Sequence, residues 1–183
     1  MQYKNRRKIN KIKKVLRIFK PTRKRIFVLV FILIAAAAAF GGYIWASTFK
    51  QQIAVPNDAM EPAYKMNDIV TINKAAYLFK KPQRGDIIYL RITNEEEERT
   101  YIRRVIGVPG DTIEILEGVL YINESETELV TGNILDAGIA AGGVKLETDQ
   151  YFVMGDNYNM CEDSRYVSFG LISTSQIIGR IDQ

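Results

Sequence analysis

The chain has 183 residues, 47% of them apolar and 10% aromatic, enough for one ordinary domain with an appendage and too hydrophobic for an intrinsically disordered chain. The net charge of +4 is unevenly spread: residues 1–25 hold twelve of the twenty-five Lys and Arg and no acid, whereas residues 47–183 set thirteen basic side chains against twenty-one acidic ones, about −8. There is no histidine and only one cysteine, Cys161, which excludes Ser–His–Asp and Cys–His catalysis, the usual zinc sites and an intrachain disulfide.

Basic blocks such as RRK and KIKK would suit a nucleic-acid arm if they stood alone. They run instead into residues 26–46, which carry no charge and would span roughly 31 Å as a helix, matching a hydrocarbon core of about 30 Å. A transmembrane helix is expected there, with Tyr43 and Trp45 at the interface and the basic residues 1–25 as a cytoplasmic tail. The apolar run and the basic region before it both exceed those of a cleaved signal peptide, so an uncleaved anchor is favoured. Ile12, Val15, Leu16 and Phe19 alternate with lysines, a pattern that suits an amphipathic helix on the inner leaflet.

Residues 47–183 are expected to form an extracytoplasmic, mainly β domain. IVTIN (69–73), IIYLRIT (87–93) and YIRRVIGV (101–108) read as strands by their β-branched alternation. KKPQRGD (80–86) is a turn, and the acids Glu95 to Glu98 suit a solvated turn. VPGD (108–111) suits a type II turn with Gly110 at positive φ. TIEIL and VLYIN, divided by Glu117 and Gly118, form a hairpin. Residues 124–144 show no lasting periodicity and read as a variable surface excursion able to carry partner contacts. YFVMGD (151–156) is a buried strand opening on a turn, and IIGRI (177–181) is a last strand.

Three stretches stand in order outside the apolar segment: DAMEP (58–62), RGDIIYL (84–90) followed by YIRRVIGVPGD (101–111), and MGDNYNMCEDSR (154–165). Together they resemble the type I signal peptidases, peptidase family S26, in the single-anchor Gram-positive form. The resemblance implies a β-sheet ectodomain with a groove facing the membrane, a serine nucleophile, a lysine general base, and no metal or cofactor. It places the nucleophile at Ala59, with Met60 and Pro62 following as the family pattern requires. The base falls at Arg103, with Arg104 matching its partner, and the serine that orients the base falls at Cys161.

A methyl group does no acyl chemistry, and arginine stays protonated in proteins, so neither residue can play the implied part. Asn57, two residues before the nucleophile position, is bulky beside an oxyanion site where the family has glycine, and is tolerable there at positive φ. Asn57, Asp58, Ala59, Met60 and Pro62 would line the substrate groove. Asp58 reads as a solvated loop acid, and Cys161 lacks a base to form its thiolate. Arg104, Gly155, Asp156, Asn157, Asp163, Ser164 and Arg165 fit the family's structural box, with Asp163 free to pair with Arg104 or Arg165.

These residues lead to the expectation of a catalytically inactive homologue that binds exported precursors or pilin-type substrates by strand addition, as a chaperone or assembly factor. A sortase or an active signal peptidase is a possible further partner; nucleic acid is not. The alternative is a signal peptidase that cleaves signal peptides with altered or residual activity. A third reading is a structural subunit that contacts a secretion component through residues 124–144.

Overall fold

The computed structural model describes residues 22–93 and 97–182, so the basic stretch expected to lie on the inner leaflet falls outside the described residues. The chain divides into two units between Ala46 and Ser47. Helix α1 (Arg23–Phe49) has 27 residues, and none of its most apolar window is buried against protein. At 1.5 Å per residue it reaches about 40 Å, and its apolar residues surround it rather than forming a stripe, which is what a lipid-facing helix needs. Among the described residues it is the one helix long and apolar enough to cross a membrane.

The second unit is mainly β. Strands β1 (Lys50–Ala54), β2 (Ile69–Asn73), β3 (Ile87–Thr93), β4 (Glu98–Gly107), β9 (Phe152–Met154) and β10 (Ile177–Asp182) form an antiparallel sheet in the order β1-β2-β10-β3-β4-β9. A second sheet, in the order β7-β6-β5-β8, comprises β5 (Thr112–Leu116), β6 (Val119–Ile122), β7 (Ser125–Glu126) and β8 (Val144–Lys145).

Alternation in β3 shows how sequence sets the layers. Ile88 and Leu90 face a core with Val105, Tyr151, Val153, Phe169 and Ile172. Ile87 and Tyr89 point the other way, to Val55, Met60, Val70, Ile72, Ile102 and Ile181. A third core, between Ile106, Ile113, Leu120, Ile122, Leu146, Phe152 and Met154, joins the second sheet to the first.

The turns follow their residues. Glu117 and Gly118 both have positive φ, 51° and 80°, as a type I′ hairpin requires. Gly110 has φ 94°, and the Asp111 N–H closes the turn onto the Val108 carbonyl at 3.0 Å.

Two expectations change, and one strand is new. β4 begins at Glu98, which pairs with Thr93, so the acidic run ends inside a strand; Glu98 also meets Arg91 at 3.3 Å. β1 went unrecognised, because KQQIA is exposed at all positions but one and has no apolar alternation. Residues 124–144, expected as a surface excursion, also reach into the core: Ile134 and Ala140 are buried in the third core, with Leu129, Val130, Ala137 and Ile139 packed against it. Irregular backbone can bury isolated side chains without leaving a period to read.

Candidate functional site

The loop after β1 is fixed at both ends. Val55 exchanges backbone hydrogen bonds with Asp68 and Asn67 at 2.8 and 2.9 Å, and Met60 sits 1% exposed in the core. Burying a methionine side chain stabilises by about 1.5–3 kcal/mol, which holds the loop to the sheet. Between these anchors Ala59 is buried, while Asn57 and Asp58 are exposed. Asn57 does not take the positive φ under which its bulk would be tolerated. Its Oδ1 instead accepts a hydrogen bond from the Ala59 N–H at 3.2 Å, so the backbone donor at the nucleophile position is already engaged.

The box residues grip the same loop from the other side. The Asn157 N–H donates to the Ala59 carbonyl at 3.0 Å, and Asn157 Nδ2 donates to the Asp58 carbonyl at 3.3 Å. Gly155 makes the approach possible, since a Cβ there would lie 2.6 Å from the Ala59 carbonyl oxygen and 2.4 Å from Cys161 Sγ.

Arg103 projects from β4 and is 3% exposed. Its guanidinium donates to the Glu162 carbonyl from Nε and Nη2 at 2.9 and 2.6 Å, and to the Ile102 carbonyl from Nη1 at 2.7 Å. The rings of Tyr101 and Phe169 lie 5.2 and 5.5 Å from its central carbon. Burial pushes its pKa down, against nearby Cys161 and Asp163, yet a guanidinium stays charged at neutral pH and cannot accept a proton.

Cys161 Sγ lies 3.9 Å from Asp163 Oδ2. Burial pushes the thiol's pKa up, and the Arg103 charge only partly opposes this. The group therefore stays a neutral thiol near pH 7, not a nucleophilic thiolate.

Asp163 pairs with Arg165, both side chains 0% exposed, through Nε at 2.8 Å and Nη2 at 2.9 Å. Arg165 also donates to the carbonyls of Asp136 and Tyr158. Burial alone would lower the Arg165 pKa, but the Asp163 contacts outweigh it and the net direction is up. Ser164 Oγ accepts the Val153 N–H at 3.0 Å. Arg104 takes the other partner, Asp156, in a bidentate pair at 2.7 and 2.6 Å. These charges tie segments together; the Asp163–Arg165 pair is fully buried, whereas the Arg104–Asp156 pair is half-buried at the wall of a cleft.

The fold thus sorts the expected residues into groups. Asn57, Asp58, Ala59, Arg103 and Cys161 line one cleft of about 510 Å³, with Pro56, Thr100, Tyr101 and Met160. Pro62, Arg104, Gly155, Asp156 and Asn157 line a second, of about 800 Å³. Met60, expected in the groove, faces the core. β4 pairs with β3 along Glu98–Arg104 but with β9 only from Arg104 onward, so among the described residues the other edge of Glu98–Arg103 has no strand partner. Sequence reading missed Tyr101, although its place two residues before Arg103 puts both on one strand face; Phe169 carries no comparable signal.

A family model described as signal peptidase, peptidase S26, matches residues 23–183. The chain belongs to this family. Signal peptidase I P of Bacillus subtilis subsp. natto is 35% identical over 135 residues, which cover 68% of this chain and 71% of that protein. A probable signal peptidase I-2 of Synechocystis sp. is 33% identical over 137 residues, covering 69% of this chain. The chain spans 58% of the Synechocystis relative and 64% of signal peptidase I of Leptolyngbya laminosa. Among solved structures, a signal peptidase I from Enterococcus faecalis V583 matches at TM-score 0.44 and 30% identity, over 56% of this chain and 98% of that one. Within the signal peptidase family, then, this chain carries alanine, arginine and cysteine in the cleft where Ala59, Arg103 and Cys161 meet.

Proposed function

We propose that the chain is a membrane-anchored peptide receptor: a signal-peptidase groove that holds an extended segment of an exported precursor without cutting it. The observation that carries this reading is the meeting of Ala59 and Arg103 in one cleft, where the nucleophile position supplies no hydroxyl and the base position no group able to give up its proton. Without its reacting groups a serine-peptidase site retains about 10³–10⁴ over the uncatalysed rate, too little for amide hydrolysis in a cell. Binding needs none of the lost groups, and the open edge at Glu98–Arg103 supports recognition by strand addition.

In this reading residues 1–25 are cytoplasmic, residues 26–46 span the membrane, and residues 47–183 face outward. The ligand class is an extended precursor segment, with a pilin the first specific client to test and a sortase or an active signal peptidase as accompanying partners. The competing reading, a cleaving signal peptidase, draws support from the names of the relatives. Photocrosslinking from position 59 in intact cells identifies the bound segment. The purified chain incubated with that precursor decides between the readings: an intact crosslinked precursor is expected, and turnover at a physiologically useful rate would overturn the proposal.

A further inference from the structure

Arg103 is a buried arginine without an acid. Arg165, equally buried, is paired with Asp163, and half-buried Arg104 is paired with Asp156. Three of the five N–H groups of Arg103 donate, all to neutral backbone carbonyls, and among the described residues it forms no ion pair. A charge held out of water with no counter-charge favours an incoming anion. The acids nearby do not take that place. Asp163, whose charge Arg103 feels, is bonded to Arg165. Asp58 and Glu162 line the same cleft but are exposed to water, and Glu162 bonds Arg103 through its backbone carbonyl. The other cation of the cleft, exposed Arg99, is paired with Glu97.

The strand edge beside Arg103 points to which anion it takes. β4 is open along Glu98–Arg103, but from Arg104 onward that edge belongs to β9, where Arg104 pairs with Met154. An extended chain added to the open part runs out of edge at Arg103. A chain that continues must leave the sheet there, whereas a chain that ends there needs only a partner for its terminal charge. Laid antiparallel to β4 it would bring an ammonium to Arg103; laid parallel, a carboxylate. The guanidinium repels the first and attracts the second, in the geometry that suits a bidentate arginine–carboxylate contact. Asn57 lines the same cleft, and with its Oδ1 engaged by the Ala59 N–H its amide N–H groups are left to donate.

We propose that the cleft is a carboxylate site, and that its tighter ligand is a cleaved peptide: a segment lying parallel to β4 along Glu98–Arg103 whose free C-terminal carboxylate is held by Arg103. This deepens the receptor reading and rests on it. An uncut precursor lies along the same edge without the terminal charge and is held more weakly. Such a chain end is made when a peptide bond is hydrolysed, so the reaction that supplies the ligand is the cut made by a peptidase acting before this chain.

The test is fluorescence anisotropy with the full chain in lipid and a labelled peptide of about eight residues, enough to lie along Glu98–Arg103 at about 3.3 Å per residue. It ends in an Ala-x-Ala sequence of the kind found at signal-peptide cleavage sites. Four forms are compared: the free acid, the C-terminal amide, the peptide extended past the cleavage point, and an amide with aspartate as its last residue. The free acid is expected to bind about tenfold or more tighter than the amide and the extended form, as loss of a hydrogen bond to a charged group implies. Arg103→Gln should bring the acid down to the affinity of the amide, with folding checked by thermal unfolding. Asn57→Asp, on an exposed loop, keeps an acceptor for the Ala59 N–H, leaves the buried arginine untouched and should weaken the acid while sparing the amide. Equal binding of acid, amide and extended forms would overturn the carboxylate site and leave the receptor reading standing, as would a preference for the acid that survives both substitutions. An aspartate-ended amide that matches the acid would overturn the assignment to a chain end. Binding of none of the four would overturn the receptor reading and the carboxylate site together.

Discussion

Restoring cleavage should require three substitutions rather than two. Ala59→Ser returns a hydroxyl to the cleft, and Arg103→Lys places an amine where burial and the rings of Tyr101 and Phe169 would depress its pKa toward the range of a general base. The double variant still has Asn57 Oδ1 on the N–H of residue 59. In serine peptidases the nucleophile's own backbone N–H is an oxyanion donor. The neutral hydrogen bond is worth about 0.5–1.5 kcal/mol net. An oxyanion donor, by contrast, is worth about 10²–10³ in kcat. Adding Asn57→Gly should therefore raise kcat over the double variant by up to about 10²–10³. The assay is the initial rate of precursor cleavage by the full chain in lipid for the wild type, the double variant and the triple variant, with folding checked by thermal unfolding. Equal rates for the double and triple variants would refute the assignment of Asn57 as an oxyanion block.

Other outcomes test the surrounding structure. Gly155→Ala puts a methyl group against a backbone carbonyl and Cys161 Sγ, so it should destabilise the β domain by about 1–3 kcal/mol in chemical denaturation, with Cys161→Ala recovering only part because the Ala59 carbonyl remains. Asp111 is held below its ordinary carboxyl range: burial opposes this, but Arg84, the Val108 N–H and Asn123 outweigh it. Its contribution is fully present above 3.8 and is lost as pH falls through the lower folded value, so Asp111→Asn should lose about 1–3 kcal/mol at pH 7 and show a flatter stability curve below pH 4. Alkylation of Cys161 should be slow at pH 7 and accelerate only above the range of an ordinary thiol, because burial raises its pKa; a rate already at its plateau by pH 8 would contradict this.

Much of the β domain could be read from the chain because its strands alternate. Ile69–Asn73 and Ile87–Thr93 have the bounds that their side chains suggest. The turns at Gly110 and at Glu117–Gly118 follow from residues able to take positive φ. The cleft was legible through three short motifs, but the partition of charges within it was not. Asp163 could have served either arginine, and only the fold gives it to Arg165 and leaves Asp156 to Arg104. The Asn57 contact did have a local signal, since asparagine side chains commonly bond the backbone two residues on. Residues 124–144 had none, because the side chains that bury there do so one at a time.

The last strand has a consequence for how the domain is assembled. β10 lies between β2 and β3 and bonds to both, although about a hundred residues separate it from them. A chain emerging from its N-terminal end presents β2 and β3 with unclosed edges until Ile177–Asp182 arrives, and such long-range closure is slow. Until then, those two edges are open to any extended chain in reach. Among the described residues, the edge at Glu98–Arg103 stays without a strand partner in the finished fold, whereas those of β2 and β3 are exposed only until β10 arrives.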